Sequence, residues 1–365
     1  MNGFLLLAAL TFHIPVISAK VIFRVDPTNG TQCPGLLQPC LALNQYVEKA
    51  EDYFIQGADV AMHFLPGAHS LCGALRVTGL ESVTMMGSVI DKNGPLIYCI
   101  PSCGGGIEFD NVSYVRIAGL NFLSCGIAEE STTLPALLLF EVPNAVLENI
   151  RFKSNKYAGA LWILYSNATF KGNTSFADNE DYVAGAIYGV SSHLAFKGTQ
   201  VFENNSASSG SGGAIVLYSF SISFAGKTVF MRNQARKKGG ALYISDATIE
   251  VTGYLSFMYN HAEFGGAGAM ENSSVAVKGC SSFMYNSALH DGGVFSVITS
   301  SLHFDGNQQD QHGVNYSLCS SSTITFQNNL AGGSGGALTL ADLSTLTLNG
   351  SVLLEVTVLQ QVGVH

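Results

Sequence analysis

FMRNQARKKGGALYI, residues 230–244, is one copy of a pattern that recurs down the chain. Phe-x-x-Asn stands at Phe152/Asn155, Phe176/Asn179, Phe202/Asn205, Phe230/Asn233, Phe257/Asn260, Phe283/Asn286 and Phe326/Asn329. A small-residue anchor follows each one: Gly159-Ala160, Gly185-Ala186, Gly213-Ala214, Gly240-Ala241, Gly266-Ala267, Gly293-Val294 and Gly336-Ala337. A third landmark glycine comes 12 residues after the anchor six times, then 13 residues after the seventh. The period is 24 to 28 residues, except for 43 between Phe283 and Phe326, where an insertion falls around Asn307–Ser322. Such self-similarity is the signature of a repeat architecture and is sought before anything else.

Two alternating patterns sit inside the constant part of each repeat. The first and third residues after the anchor are apolar, as in Leu161/Ile163, Ile215/Leu217 and Leu242/Ile244. The fourth and second residues before the landmark glycine are apolar too, as in Leu194/Phe196, Ile222/Phe224 and Ile249/Val251. Period two means a strand with one face inward. The Phe before each Asn marks a third short strand. Three strands in about 27 residues leave no room for a crossover helix, so each strand must pair with its equivalent in the next repeat. The expected fold is all-β, a right-handed parallel β-helix in which each coil touches only its neighbours. The Phe residues form an interior ladder. The Asn residues sit at a tight turn, where a side-chain amide and tolerance of the left-handed region are useful. The Gly-Gly pair makes a sharp corner. These are structural roles, not ligand-binding ones.

The copies FENNSASSGSGGAI, FMRNQARKKGGAL, FMYNHAEFGGAGAM, FMYNSALHDGGVF and FQNNLAGGSGGAL, over residues ~150–340, resemble the polymorphic outer-membrane-protein adhesin repeat of bacterial surface proteins. Similar repeats occur in secreted right-handed β-helix domain proteins of invertebrate animals. The resemblance implies a surface or secreted role in adhesion or recognition, and the opening of strand, helix, Val60–Leu65 strand and Pro66-Gly67 is similar to the start of pectin-lyase-like β-helices.

Residues 1–19, MNGFLLLAALTFHIPVISA, read as a signal peptide. Residues 20–70 read as an N-terminal cap with a helix over Cys40–Phe54, covering the open edge of the first coil. Residues 71–365 form the solenoid, with Cys125 in the Asn position of an early coil. The pattern decays after Gly350, as an incomplete last coil or a fragment would show. No window is long and apolar enough for a membrane-spanning helix.

Eight N-x-[ST] sequons, at Asn29, Asn111, Asn167, Asn173, Asn204, Asn272, Asn315 and Asn349, agree with a secreted glycoprotein. Eight cysteines in that context suggest disulfides. Cys33 and Cys40 flank a Pro-Gly turn and are the leading pair. Cys72/Cys99 and Cys103/Cys125 are each about one repeat apart, and Cys280 has no obvious partner but Cys319. Neither a Cys/His cluster with zinc spacing nor a cofactor motif is recognised. The net charge of −9 argues against nucleic acid as a partner.

Three surface features carry the functional alternatives. Trp162, Tyr188 and Tyr243 fall on one outward column with Val216 between them, and are candidates to bind a protein or polysaccharide. The variable turn after each Asn stacks along one edge. There Arg236-Lys237-Lys238 makes a basic loop that Glu263 is placed to neutralise. Acids such as Glu250, Glu271 and Asp305, with His290-Asp291, are the candidates for hydrolysis or elimination, but no recurring carboxylate pair appears. The sequence therefore favours a secreted or cell-surface β-helix glycoprotein in non-enzymatic adhesion or recognition. The alternative is a pectin-lyase-like polysaccharide lyase or glycoside hydrolase.

Overall fold

The computed structural model describes residues 21–27, 40–87, 94–100, 102–129, 132–305 and 324–355. The segment 1–19, Asn29, Cys33, Asn315, Cys319 and the 307–322 insertion lie outside them. The chain is a parallel β-solenoid of about 10 turns. In each regular coil the strand after the Gly-Ala anchor joins sheet I, the strand before the landmark glycine joins sheet II, and the Phe strand joins sheet III. Their strands number 10, 13 and 11. A fourth ladder, sheet IV, was not expected. It consists of six two-residue strands just after the ladder Asn, from Glu180–Asp181 to Leu330–Ala331.

Register is exact from coil to coil. Ile187, Ile215 and Leu242 are successive partners in sheet I, and Phe176, Phe202, Phe230 and Phe257 in sheet III. The sheet III phenylalanines stack as a column through Phe122, Phe152, Phe176, Phe202, Phe230, Phe257, Phe283 and Phe326. Centroid spacings run from 4.6 to 5.7 Å. Phe170, Phe196 and Phe224 of sheet II form a second column at 4.7 and 5.0 Å. Each ring of the second column meets the first edge-on, as with Phe196 and Phe202 at 86°. Edge-to-face contact sets the positive ring edge against the negative face. Where Val251 and Val277 shorten the second column, Phe295 enters from sheet I. It packs against Phe257 and Phe283, beside the space left by Gly268.

Four corners turn the chain in each regular coil; the II-to-III corner falls at the landmark glycine, as at Gly172 with φ 64°. At the III-to-IV corner the expected role of the Asn is corrected. The left-handed conformation belongs to the residue before each ladder Asn, not to the Asn itself. Asp178 before Asn179 has φ 57°, Asn204 before Asn205 53°, Arg232 before Asn233 57°, Tyr259 before Asn260 58°, Tyr285 before Asn286 56° and Asn328 before Asn329 53°. The Asn is retained for its amide, and all of these rungs are buried. Asn179 Nδ2 donates to Phe152 O at 3.2 Å and to Asn205 Oδ1 at 2.9 Å, while its Oδ1 accepts from the N–H and Nδ2 of Asn155 at 3.0 and 2.8 Å. The Asn233 Nδ2 likewise donates to Phe202 O and Asn260 Oδ1, and its Oδ1 accepts from the N–H and Nδ2 of Asn205, all at 2.9–3.0 Å. Both donors and both lone pairs are used. At the IV-to-I corner two glycines serve two purposes. Gly239 has φ 65°, whereas a Cβ on Gly240 would lie 2.1 Å from Gly266 O of the next coil. At the I-to-II corner a serine ladder appears. Ser192 Oγ accepts the Ser166 N–H at 2.8 Å, and Ser300 Oγ accepts that of Ser273 at 2.9 Å.

The cap differs from a single helix. Cys40–Leu41 is a strand, and Leu43–Glu48 and Ala50–Tyr53 are two short helices separated at Lys49, whose φ and ψ are −122° and 27°. Leu43 and Tyr46 are buried under the first coil, and Tyr46 donates its hydroxyl to Arg24 O at 2.9 Å. The disulfide pairing by repeat length is also corrected. Cys72 bonds Cys103 and Cys99 bonds Cys125. Cys99 is the register partner of Leu71, not of Cys72. The two inward-facing cysteines, Cys99 and Cys125, therefore pair together, leaving the two half-buried ones to each other. Cys40 and Cys280 are also disulfide-bonded.

Candidate functional site

The outer face of sheet I carries the aromatic column. Trp162, Tyr188, Val216 and Tyr243 are consecutive register partners, followed by Ala269, Ser296 and Thr339. The interruption at Val216 is bridged by Tyr218, two residues further along the same strand. Trp162–Tyr188, Tyr188–Tyr218 and Tyr218–Tyr243 centroids lie 5.7, 6.2 and 5.9 Å apart. The rings are tilted or edge-on, so they interlock. Tyr218 escapes a search down one column because it belongs to the next outward column. The gap at Val216 was the only signal.

The face is partly roofed. Ala184 and Val183, from the variable turn, pack with Val216, Tyr188 and Tyr218, while Tyr243 is buried. Three exposed tyrosines flank it: Tyr157, Tyr165 and Tyr182. The Trp162 indole N–H is buried and unpaired.

Asp181 organises the turn. Its carboxylate accepts the Tyr182 N–H at 2.6 Å and those of Val183 and Ala184. Burial opposes these bonds and raises its pKa to about 6. Burial also raises the phenols of Tyr188, Tyr218 and Tyr243. For Tyr188 the next cause is the Asp181 charge, and for Tyr243 it is Glu271. These phenols stay protonated hydrogen-bond donors at neutral pH. Glu271 accepts from Tyr243 and pairs with Lys238 Nζ at 2.6 Å. The basic loop is thus neutralised at Lys238 by Glu271, not by Glu263, which faces His290 at 3.5 Å.

The acids do not converge. Glu250 is on the outer face of sheet II, paired with Lys278 at 2.8 Å, whereas Glu271 is on sheet I. Asp305 ends a sheet II strand beside Asn349. His290 and Asp291 diverge, since Asp291 Oδ1 accepts the Ser334 N–H. Among the described residues no group of three or more His, Cys, Asp or Glu is placed to hold a metal ion.

Six sequon asparagines lie in the described residues, and all are exposed: Asn111, Asn167, Asn173, Asn204, Asn272 and Asn349. They occupy sheets II and III and the corners beside them. The strands of sheet I and the turns leading into them carry none.

The Chlamydia polymorphic membrane protein repeat model matches residues 201–217 and 323–339. Both segments run from the Phe strand through the ladder Asn to the Gly-Gly-Ala anchor. No curated protein sequence matches the chain. Among solved structures, DFA-IIIase from Arthrobacter chlorophenolicus A6 in complex with GF2 is 13% identical, with 94% of this chain and 99% of that one covered at a TM-score of 0.30. A rhamnogalacturonan lyase is 10% identical, with 78% and 74% covered at 0.20. The Dettilon tailspike protein is 14% identical, with 85% and 63% covered at 0.21. Likeness at this level assigns no activity. The chain is a parallel β-solenoid, and two segments of its coils match the Chlamydia polymorphic membrane protein repeat.

Proposed function

We propose that this chain is a secreted or cell-surface β-helix glycoprotein that acts in non-enzymatic adhesion or recognition, with the outer face of sheet I as its contact surface. The observation that carries the reading is the joint distribution of aromatics and sequons. Trp162, Tyr188, Tyr218 and Tyr243, with exposed Tyr165 and Tyr182 beside them, lie on the side whose strands bear no sequon asparagine. Glycans on sheets II and III would leave this face accessible, and those at Asn111 and Asn272 would stand at its edge with sheet II. Aromatic side chains supply large contact area at low entropic cost and dominate recognition surfaces. The repeat match and the two disulfides are consistent with an extracellular setting.

The test uses the full chain secreted from a eukaryotic host and labelled. Its binding is measured on cells and on matrix-coated surfaces, before and after glycosidase or protease treatment. That treatment separates a polysaccharide ligand from a protein one. Tyr165→Ala and Tyr182→Ala, both at exposed positions, should weaken binding while leaving the melting temperature unchanged. The same protein is incubated with uronic-acid and neutral polysaccharides. Appearance of new reducing or unsaturated ends would replace adhesion with the lyase or hydrolase reading.

A further inference from the structure

We propose that the polar groove at the I-to-II corner seats the chain's own asparagine-linked glycan, carried on Asn272. The proposal rests on the secreted-glycoprotein reading above. The groove holds about 520 Å³ and is lined by Asp246, Thr248, Asn272, Ser274, Ser301 and Leu343 among others. That volume is within the ~300–1,000 Å³ of ligand sites. Asn272 is exposed, with φ 46°, and its Nδ2 donates to Asp246 Oδ1 of the preceding coil. An N-glycosidic bond replaces one of the two Nδ2 hydrogens. The other remains available to Asp246, which holds the side chain along the corner and directs the first sugar over the groove.

The lining matches an N-acetylhexosamine in three respects. Hydroxyls at Thr248, Ser274 and Ser301 recur once per coil, ~4.8 Å apart. Each can donate and accept, as sugar hydroxyls require, and Ser301 already donates to Ser274 at 3.0 Å. No lysine or arginine lines the groove, so nothing in it selects an anionic sugar. Besides the buried Ala247, one apolar side chain lines the groove: Leu343 stands 89% exposed two coils beyond Asn272, where an acetamido methyl would cover it. Asn111 offers an internal comparison. It occupies the same corner with φ 52°, but of the three matching positions near it Ser82 alone carries an aliphatic hydroxyl, while the phenol Tyr114 and the amide Asn144 stand where Ser274 and Ser301 do.

Glycopeptide mass spectrometry of the full chain from a eukaryotic secretory host measures occupancy at each sequon. Peptide-N-glycosidase is then applied to the native protein and to the denatured protein. We expect release at Asn272 to be about tenfold slower than at the other occupied sites in the native state, the protection that ~1.4 kcal/mol of groove contact provides. The difference should vanish on denaturation. Leu343→Glu, at a fully exposed position, should bring the native rate at Asn272 toward that of the other sites. Equal native rates overturn the groove. An empty Asn272 beside occupied sequons elsewhere also overturns it while leaving the secretory reading intact. If no sequon is occupied, the secretory reading itself fails.

Discussion

A ladder asparagine such as Asn233 is fully satisfied only because its neighbours one coil away are also asparagines. Removing one amide therefore strands several partners. Asn233→Ala takes the acceptor from the Asn205 N–H and the amide donor from Phe202 O, and it removes one of two bonds from Asn205 Nδ2, which keeps Phe176 O, and from Asn260 Oδ1, which keeps the N–H of residue 233, all in a place with no solvent access. A buried group left unpaired costs ~1–3 kcal/mol and the loss of one bond from a group that keeps another costs less, so a loss of about 3 kcal/mol is expected. At the last rung, Asn329, fewer bonds are at stake: its Nδ2 donates to Phe283 O and its Oδ1 accepts from Asn286. Denaturant unfolding of Asn233→Ala and Asn329→Ala should rank them in that order, and equal losses would mean the ladder is not cooperative. Asp181 makes a pH-dependent case. Its folded pKa of about 6 stands above the ordinary carboxylate value of 3.8. Between those values the folded state binds more protons than the unfolded state, so stability falls as pH rises through that window and stays lowered above it. Asp181→Asn removes the ionisation while keeping an acceptor for the turn. It should stabilise the chain by ~1–3 kcal/mol at pH 7 and by nothing at pH 3.5, as thermal melts at the two pH values would report.

At the scale of strands and turns, the legible part of the fold was the metrically constant part. Strands before Gly226 or Gly253 alternate cleanly, and the same spacing recurs often enough to exclude helices. The Asn rungs from Asn179 to Asn329 were legible as turn residues, but spacing alone does not say which residue of the turn takes the positive φ. Sheet IV was not legible because each of its strands is two residues long and lies in the turn whose length varies. The serine ladder was present as Ser166, Ser192, Ser273 and Ser300. Phe220 and Ala247 interrupt it, and a hydroxyl's role as an acceptor leaves no hydropathy signal. Disulfide pairing failed for a reason of parity. Cysteines one repeat apart stack only if both face the same side, and Cys72 and Cys99 do not. The aromatic face was legible at Trp162, Tyr188 and Tyr243 as residues in one column. Its continuity through Tyr218, and its roof of Val183 and Ala184, depend on which turn folds over which strand, and that is not written in spacing.

Over the whole rod, contacts run almost entirely between successive coils, so stability is a chain of nearest-neighbour terms. The two ends are unequal. The first coil is covered by Leu43 and Tyr46 and is followed by two disulfides, Cys72–Cys103 and Cys99–Cys125, closing separations of 31 and 26 residues. Loops of that size contribute roughly 3–4 kcal/mol each on a chain-entropy account. In the last described coil Leu340, Leu343, Leu348 and Leu353 are exposed. A fault placed midway should therefore divide the molecule. Gly240 is the place for it, because its Cβ would meet backbone of the next coil, Gly266 O at 2.1 Å and His261 N at 2.6 Å, and backbone there has no flexible end to yield. Gly240→Val weakens the interface on which the Asn, Phe and sheet ladders all depend, without touching the cap or the described disulfides. Differential scanning calorimetry should then resolve two transitions where the parent shows one. Reducing agent should lower the upper transition by more than the lower one, because Cys72–Cys103, Cys99–Cys125 and the bonded Cys40 lie on the N-terminal side, whereas beyond Gly240 Cys280 is the one bonded cysteine among the described residues. A single sharp transition, merely displaced to lower temperature, would show instead that cooperativity spans the rod and that the coils do not behave as separable neighbours.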